Sequence, residues 1–503
     1  MMAYCNVKKA GTVFACVLCV AGILIPVHAE GACDEVCQMI KDIYPKGSSF
    51  PSEFTAMNGI LYFSAYDDTY GEELWTSDGT PGGTTLVKDI NPGTGDSFPS
   101  HLTVMNGKLY FRASNGDTTN GFELWTSDGT PGGTTLVKDI NPGTGDSDPE
   151  YLTEMNGKLY FQADNDTYGV ELWMSDGTPG GTTLLKDIYT GGDGSDPQWL
   201  TVMNGKLYFT ANNGTNGREL WMSDGTPGGT TLLKDIYTGG DSSNPQWLTV
   251  MNGKLYFQAN DGTAGDELWT SDGTTGGTNL FKDINTGGDS SIPRFFTVMN
   301  GKLYFGADDG TYDDELWISD GTPGGTTLLK DINTGGGSNL GPFTVMNGKL
   351  YFGADDGIHG VELWMSDGTT AGTTLVKDIF PGNPSDESYP DYFAVMDDTL
   401  YFSANDGANG YEVWKSDGTT AGTMMVKDIN PGPGSANPYY LTVIDGTLYF
   451  SATDGTHGKE LWGCSCSSPS KSAEQVSALS PLAMCVLLGL VSLIAVCRIR
   501  KRQ

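Results

Sequence analysis

A segment of about 48 residues recurs along most of the chain, and this repetition restricts the possible folds more than any other feature. The copy at residues 252–284 reads NGKLYFQANDGTAGDELWTSDGTTGGTNLFKDI. Short apolar runs between glycine-rich turns, repeated with such a period, are typical of β-propellers and β-solenoids. The tryptophan of the Glu-Leu-Trp motif marks nine copies: Trp75, Trp125, Trp173, Trp221, Trp269, Trp317, Trp364, Trp414 and Trp462.

Each repeat contains four short runs with the composition of β-strands. In the fifth repeat we predict strands at residues 247–251, 254–259, 267–271 and 279–284. Asn252-Gly253 joins the first two, and such a pair favours a type I′ hairpin turn because both residues tolerate positive φ. Glycine-rich loops join the others. The sequence therefore predicts an all-β fold in which each repeat is one four-stranded antiparallel blade of a β-propeller.

The ends of the repeat array are offset from one another. The Lys-Asp-Ile and Leu-Tyr-Phe segments each occur nine times, whereas the Ser-Asp-Gly-Thr link occurs eight times. The array thus begins with a lone Lys-Asp-Ile strand at 39–43 and ends with a lone Glu-Leu-Trp strand at 460–462. We expect these strands to pair and close a single nine-bladed ring, which removes exposed sheet edges. Two smaller rings in tandem are the alternative, and the uniform linkers favour one ring.

Both ends of the chain outside the repeats carry apolar segments. Lys8 and Lys9, an apolar core at 13–25 and Val27-His28-Ala29 predict a signal peptide at 1–29, with an uncleaved membrane anchor as the alternative. Residues 476–497 predict a transmembrane helix, and the basic residues of 498–503 predict a cytoplasmic tail. A GPI signal or a bacterial surface-sorting tail are the alternatives there. Between these segments we place a Cys-containing segment at 30–41, the propeller at 42–462 and a Cys/Ser-rich linker at 463–475.

Four cysteines flank the predicted closing strands, and the blades contain none. Because those strands run antiparallel, we expect disulfides between Cys37 and Cys464 and between Cys33 and Cys466, although four cysteines allow three pairings. A zinc site is the alternative, but the cysteine spacing fits zinc poorly. Disulfides agree with export to an oxidising compartment.

The formal net charge of −34 is distributed over all the repeats. Nucleic acid is excluded as an expected partner, because phosphate recognition requires positive charge. The acidity indicates either an interaction with cations or the solubility of an exported protein.

Loops of two kinds alternate between the faces of the predicted ring. The face with the connections between blades is the more variable, and we expect a ligand there. An aromatic residue begins the first strand of many blades on this face and is suited to stacking on a carbohydrate; the alternative is that it wedges between blades as core. The candidate ligand-binding residues are Tyr151, Trp199, Trp247, Phe295, Tyr392 and Tyr440.

Acidic loops on the same face are candidates for Ca²⁺ binding, since calcium takes six to eight oxygen ligands. The alternative is that these loops are hairpin turns whose side chains bind their own backbone. The candidate ligands are Asp261, Glu267, Asp308, Asp309, Glu315, Asp355, Asp356 and Glu362. Calcium is accordingly the one candidate cofactor.

The Ser-Asp-Gly-Thr link resembles the Asp box of sialidase-type propellers, where the aspartate and threonine hold a turn. We expect that structural role for Asp78, Asp128, Asp176, Asp224, Asp272, Asp320, Asp367 and Asp417. A sialidase also needs an arginine cluster, and the blades contain only Arg112, Arg218 and Arg294. Every carboxylate recurs in other blades, so no unique glycosidase pair is visible. We therefore do not expect an enzyme.

The Glu-Leu-Trp-x-x-Asp-Gly-Thr motif of residues 267–274 is followed by Gly277-Thr278 and then by a Lys-Asp-Ile segment. In this combination the sequence resembles the ELWxxDGT repeat family of exported proteins over about residues 42–462. Val413 replaces the leucine in one copy, and the ninth copy ends before its Ser-Asp-Gly-Thr link. The resemblance implies a surface or secreted repeat protein and no particular reaction.

The expected function is that of a binding or adhesion module on the cell surface, anchored by a single membrane span with a cytoplasmic C-terminus. The expected partner is a glycan or an extracellular protein, with calcium as a candidate helper, and the propeller is expected to be monomeric. A structural acidic coat without a specific ligand is the first alternative. A glycan-active enzyme is the second.

Overall fold

The computed structural model describes residues 35–116 and 121–466. Residues 37–464 form one compact unit. The predicted signal peptide, transmembrane helix, cytoplasmic tail and Cys33 lie outside the described residues. Within the described ranges, no helix has the length and apolar character to cross a membrane.

The described residues form thirty-six strands in nine antiparallel sheets of four, and each sheet is one blade. The inner strands are Ser52–Met57, Ser100–Met105, Glu150–Met155, Gln198–Met203, Gln246–Met251, Arg294–Met299, Thr344–Met346, Asp391–Met396 and Tyr439–Ile444. The second strands are Ile60–Asp67, Lys108–Ala113, Lys158–Ala163, Lys206–Asn212, Lys254–Asn260, Lys302–Asp308, Lys349–Asp355, Thr399–Asn405 and Thr447–Thr453.

The third and outer strands complete the blades, which we number 1 to 9 in the order of their inner strands. The third strands are Gly71–Ser77, Glu123–Ser127, Glu171–Ser175, Arg218–Ser223, Asp266–Ser271, Asp314–Ser319, Val361–Ser366, Tyr411–Ser416 and Lys459–Cys466. The outer strands are Thr85–Lys88, Thr135–Lys138, Thr183–Lys186, Thr231–Lys234, Asn279–Lys282, Thr326–Lys330, Thr374–Lys377, Met424–Lys427 and, for blade 9, Glu35–Lys41.

Blade 9 closes the ring as predicted. Its sheet order places the N-terminal strand Glu35–Lys41 against Lys459–Cys466, so the two ends of the array share one sheet. A disulfide between Cys37 and Cys464 links these strands. The prediction of a single nine-bladed ring is therefore confirmed, and the alternative of two smaller rings is wrong.

The inner strands of neighbouring blades lie against one another around a central channel. The Thr103 hydroxyl of blade 2 donates to the Leu152 carbonyl of blade 3 at 3.3 Å. The Thr201 hydroxyl of blade 4 makes the same bond to the Leu248 carbonyl of blade 5 at 3.3 Å. Side chains at the start of the inner strands consequently come close to their counterparts in adjacent blades.

The hydrophobic core lies between blades and explains why the second strands are apolar without alternation. Leu207 and Phe209 pack against residues of blade 3, whereas Tyr208, between them in sequence, packs against Phe257 and Trp269 of blade 5. Successive side chains of a strand point to opposite faces, and here each face meets a neighbouring blade. Both faces are buried, so the whole Leu-Tyr-Phe segment must be apolar.

The outer strands end earlier than the sequence predicted. In blade 5 the strand was expected at 279–284, but it spans Asn279–Lys282. The Ile284 amide donates to the Glu267 carboxylate at 2.7 Å instead of to a neighbouring strand. The Asp-Ile pair of each Lys-Asp-Ile segment thus begins the connection to the next blade.

Candidate functional site

A buried glutamate organises each connection between blades. In blade 4 the Glu219 carboxylate accepts hydrogen bonds from the Ile236 amide at 2.8 Å, from the Ser243 amide at 2.9 Å and from the Ser243 hydroxyl at 2.6 Å. Burial raises the pKa of Glu219 to about 7, although these hydrogen bonds lower it. The Glu-Leu-Trp glutamates are fully buried in all nine blades. This carboxylate therefore holds the connection in a fixed path as it approaches the channel.

The residue after the connection serine, which is replaced by Ala436 before blade 9, has a left-handed backbone in every connection. Phe50, Ile292 and Tyr389 have φ of 48°, 46° and 43° there, in a region that residues other than glycine and asparagine seldom adopt. Phe50 is 62% exposed and Tyr389 is 45% exposed. A strained backbone that presents variable, exposed side chains is typical of functional surfaces.

A second left-handed position follows at the second residue of the inner strand. In blade 4, Gln198 faces Thr210 and Thr201 faces Tyr208, so the strand bulges between these pairs at Trp199, whose φ is 57°. The Thr201 hydroxyl donates to the Trp199 carbonyl at 3.1 Å and stabilises the bulge. We call these positions the mouth ring, and its members are Glu53, His101, Tyr151, Trp199, Trp247, Phe295, Tyr392 and Tyr440.

Blade 7 interrupts the mouth ring. Pro342 lies two residues before Thr344, the position that Phe295 occupies relative to Thr297 in blade 6. Proline fixes φ near −65° and cannot adopt the left-handed conformation. The inner strand of blade 7 accordingly begins only at Thr344 and pairs without a bulge.

The mouth ring lines the central channel. Glu53, His101, Tyr151 and Trp199 contribute to a cavity of about 510 Å³ that is lined entirely by residues of inner strands. Further round the ring, the centroids of Trp199 and Trp247 are 5.1 Å apart. Tyr151 is 42% exposed, so its ring is open to a ligand.

All six aromatic residues predicted from the sequence therefore lie in one ring at the channel. The three members in blades 4 to 6 contact one another there: the ring centroids are 5.1 Å apart for Trp199–Trp247 and 5.5 Å apart for Trp247–Phe295. Three of the six rings thus touch one another across blades, and Tyr151, Tyr392 and Tyr440 are exposed, whereas carbohydrate stacking by these residues stays a prediction from the sequence.

Two charged members of the mouth ring were missed by the sequence analysis, which selected aromatic residues. The Glu53 carboxylate accepts a hydrogen bond from the His101 amide at 2.8 Å, and His101 Nε2 lies 3.9 Å from Glu150. An alignment of the repeats on the threonine two residues later, Thr55 or Thr103, identifies both positions. The mouth ring is thus polar in blades 1 and 2, whereas it is aromatic in blades 4 to 6.

A second cavity of about 420 Å³ lies where blades 8, 9 and 1 meet. Its walls include Phe50, Tyr392, Tyr439, Tyr440 and Lys459. The rings of Tyr392 and Tyr439 meet edge to face at 5.0 Å. The sequence analysis selected only Tyr392 and Tyr440 among these residues.

The acidic residues selected as calcium ligands hold separate segments of backbone. Asp261 Oδ1 accepts hydrogen bonds from the amides of Thr263 and Ala264 at 2.8 and 2.9 Å. Glu267 instead holds the connection through Ile284 and the hydroxyl of Ser291. The same division is seen for Asp308, Asp309 and Glu315 and for Asp355, Asp356 and Glu362.

No group of three or more His, Cys, Asp or Glu side chains within the described ranges is arranged to hold a metal ion. Calcium binding stays a prediction from the sequence.

The Ser-Asp-Gly-Thr links each contain the same hydrogen-bonded turn. Asp78 Oδ1 accepts from the amide and hydroxyl of Thr80 at 2.9 and 2.7 Å, and the Thr80 hydroxyl accepts from the Gly83 amide at 3.0 Å. These bonds lower the pKa of Asp78. The equivalent aspartates make the same pair of bonds: Asp128, Asp176, Asp224, Asp272, Asp320, Asp367 and Asp417.

No family model matches the chain, and no curated protein matches it. The likeness to the ELWxxDGT repeats therefore stays a resemblance of motifs.

Solved structures match the chain at low sequence identity. A puromycin hydrolase is 15% identical with a TM-score of 0.37, and the match covers 73% of this chain and 60% of that one. A puromycin-hydrolyzing peptidase of Mycobacterium tuberculosis is 13% identical with a TM-score of 0.37, over 71% and 58%. The β-propeller domain of the Trilobed protease from Pyrococcus furiosus is 12% identical with a TM-score of 0.36, over 75% and 97%.

The chain spans about 60% of the length of the first two of these structures. The likeness concerns the fold alone, and no function is drawn from it.

Proposed function

We propose that the protein is an extracellular β-propeller that binds a glycan or protein ligand at the mouth of its central channel. The C-terminal apolar segment 476–497 anchors it to the membrane in this proposal. The supporting observation is the mouth ring: eight blades hold a variable residue in the same left-handed bulge, and six of the eight residues are aromatic. Strained backbone that repeats while its side chains vary favours a binding surface over a purely structural one.

A glycan is the ligand that the mouth ring suits best. The channel cavity of about 510 Å³ has the volume of a small-molecule site. Half-exposed rings such as Tyr151 stack on the apolar faces of sugars, while Glu53 and Glu150 accept hydrogen bonds from sugar hydroxyls. The Cys37–Cys464 disulfide supports the extracellular location, since disulfides persist mainly in oxidising compartments.

The test is a glycan array probed with the purified full chain, followed by affinity measurements on each positive glycan. Tyr151→Ala is expected to weaken binding about tenfold, because one aromatic contact contributes on the order of 1 kcal/mol. Tyr312→Ala is the matched control: Tyr312 is a similarly exposed tyrosine, 43% against 42%, in the loop between the second and third strands of blade 6.

An array on which no glycan binds, together with no binding to extracellular proteins, contradicts the proposal. Equal weakening by Tyr151→Ala and Tyr312→Ala contradicts the placement of the site in the channel.

The second candidate is an acidic surface coat without a specific ligand, which the net charge of −34 favours. Such a coat requires no particular residue in the mouth ring, so this candidate predicts silent arrays and no effect of Tyr151→Ala.

A further inference from the structure

Lys459 is an unusual cation on the face where the connections lie. The three arginines of the blades are each paired with an aspartate: Arg112 with Asp148, Arg218 with Asp196 and Arg294 with Asp314. Lys459 occupies the position just before the Glu-Leu-Trp glutamate, where blade 4 has Arg218. In the part of the chain that the structure describes, no carboxylate lies within ion-pair distance of its ammonium. Burial, with no opposing charge, lowers the pKa of Lys459.

One aromatic ring contacts this ammonium, and others line the same cavity. Lys459 Nζ lies 3.9 Å from the centroid of Tyr439, which is a cation–π contact. Tyr440 and Phe50 form further walls of the same cavity of about 420 Å³. Tyr440 is 46% exposed, so the cavity is open to solvent. A partly desolvated, unpaired cation beside exposed rings is the arrangement that recognises an anion carried on a sugar ring or another ring.

One carboxylate in the cavity wall limits the charge of that anion. Glu72 lines the same cavity, and its Oε1 accepts a hydrogen bond from the Ser64 hydroxyl at 2.8 Å. A phosphate monoester or a free sulfate ion carries two negative charges and is repelled by this carboxylate more strongly than a single carboxylate, which Lys459 attracts. Glu72 also offers an acceptor for hydroxyl groups. The combination fits a monoanion that carries several hydroxyls.

A neighbouring cavity extends the site. The Tyr392–Tyr439 pair forms a wall of both the 420 Å³ cavity and a cavity of about 320 Å³. The second cavity is lined by Tyr389, Asp391 and Asn437, which can hydrogen-bond to hydroxyls. Two adjoining cavities divided by aromatic rings match two consecutive sugar units of an oligosaccharide.

We propose that this double cavity binds a glycan containing a uronic acid, with the uronate carboxylate on Lys459 and the adjacent neutral sugar beside Tyr389 and Asn437. This inference rests on the proposed function, because Tyr392 and Tyr440 of the mouth ring line the cavity, and it names the class of ligand bound in this sector of the ring. It is surprising for a protein of net charge −34, because the net field repels anions; the unpaired lysine supplies the local attraction.

The test compares two ligands of the purified full chain at 150 mM salt by calorimetry. One is a tetrasaccharide that alternates glucuronic acid with a neutral amino sugar. The other is the same tetrasaccharide with its carboxylates reduced to alcohols. The acidic tetrasaccharide is expected to bind at least about tenfold more tightly, since reduction of the carboxylates removes a charge-assisted hydrogen bond to Lys459. Inorganic sulfate at equal ionic strength is expected not to compete.

Three variants locate the effect. Lys459→Met keeps an apolar stem and removes the charge, and it is expected to abolish the preference for the acidic ligand. Lys459→Arg keeps the charge and is expected to retain the preference. Lys46→Met is the control, because Lys46 is an exposed lysine already paired with Asp68.

Equal affinity for the two tetrasaccharides overturns the inference and leaves the proposed function supported, since a glycan still binds. A preference that survives Lys459→Met in a folded protein also overturns it. Absence of binding to either tetrasaccharide overturns it as well, and the array with the Tyr151→Ala variant then decides the proposed function separately.

Discussion

Two left-handed residues in each of eight blades place variable side chains at the channel and beside it. At Ile292 the φ of 46° is costly, because a β-branched side chain crowds its own backbone in this region. The strain persists because the neighbouring Ser291 is held by the Glu267 carboxylate through both its amide and its hydroxyl. At the residue scale, the hydrogen bonds that recur from blade to blade determine the backbone conformation, whereas the exposed side chains differ between blades.

Blade 8 offers a test of such strain at a position without a ligand role. Its hairpin turn is Asp397-Asp398, where seven blades have Asn-Gly and blade 9 has Asp-Gly, and Asp398 has φ of 62°. Asp398→Gly is expected to raise the free energy of unfolding by about 1 kcal/mol, because glycine adopts this conformation without a Cβ clash. The measurement is the shift of the urea midpoint.

Gly107→Asp is the matched reverse change in blade 2. Gly107 has φ of 73°, and a Cβ there would meet no atom within 4 Å, so only backbone strain is added. A lower midpoint for Asp398→Gly, or no loss for Gly107→Asp, contradicts this account.

At the element scale, each blade depends on one buried glutamate that joins its third strand to the following connection. Burial raises the pKa to about 7 for Glu73, Glu123, Glu219, Glu267, Glu315, Glu362, Glu412 and Glu460. In the unfolded chain the same groups ionise near 4.5. The folded protein thus holds more protons than the unfolded chain between these values.

This difference predicts that stability falls as the pH rises from about 4.5 to about 7, and stays at the lower level above that. We expect the thermal midpoint of the full chain to be higher at pH 5 than at pH 8 by on the order of 5 °C. Repulsion between surface carboxylates also lowers the thermal midpoint as the pH rises. The thermal midpoints are therefore measured again in 1 M salt, which screens this surface repulsion. A midpoint that increases with pH, or a slope that vanishes in 1 M salt, rules out the buried glutamates as the cause.

At the scale of the whole molecule, the ring is closed by the chain ends. The Cys37–Cys464 disulfide joins residues 427 positions apart, and the core of blade 9 includes both cysteines. In the chain-entropy model a bridge across a loop of this length stabilises by roughly 6 kcal/mol.

The double variant Cys37→Ser/Cys464→Ser is therefore expected to fold and to unfold at a clearly lower urea midpoint than the parent. The hydrogen bonds of blade 9 still close the ring, so the fold remains. The control is the parent chain under reducing conditions, which should approach the midpoint of the variant. An unchanged midpoint in both cases shows that the bridge does not stabilise the ring.

Much of the architecture was predictable because its causes are local. Asn-Gly turns, the hydrogen-bonded Ser-Asp-Gly-Thr link and the period of the strands each act within one repeat, and the offset of the array ends indicated closure. The predicted ends of the outer strands were wrong. In blade 5 the Ile284 amide donates to Glu267 across a loop, so the strand ends before Ile284. The sequence analysis missed Glu53 and His101 because it selected candidate residues by type, as aromatic residues, and not by their position within the repeat.

The sequence by itself determined that this protein has nine four-stranded blades and that its first strand completes the last blade, since turn chemistry and counting suffice for both. Only the tertiary structure decided which side chains meet at the channel. Phe50 and Tyr440 are about 390 residues apart, and they share a cavity with Lys459 because ring closure brings blade 9 beside blade 1. Such a site depends on distances between blades, which no pattern within one repeat contains.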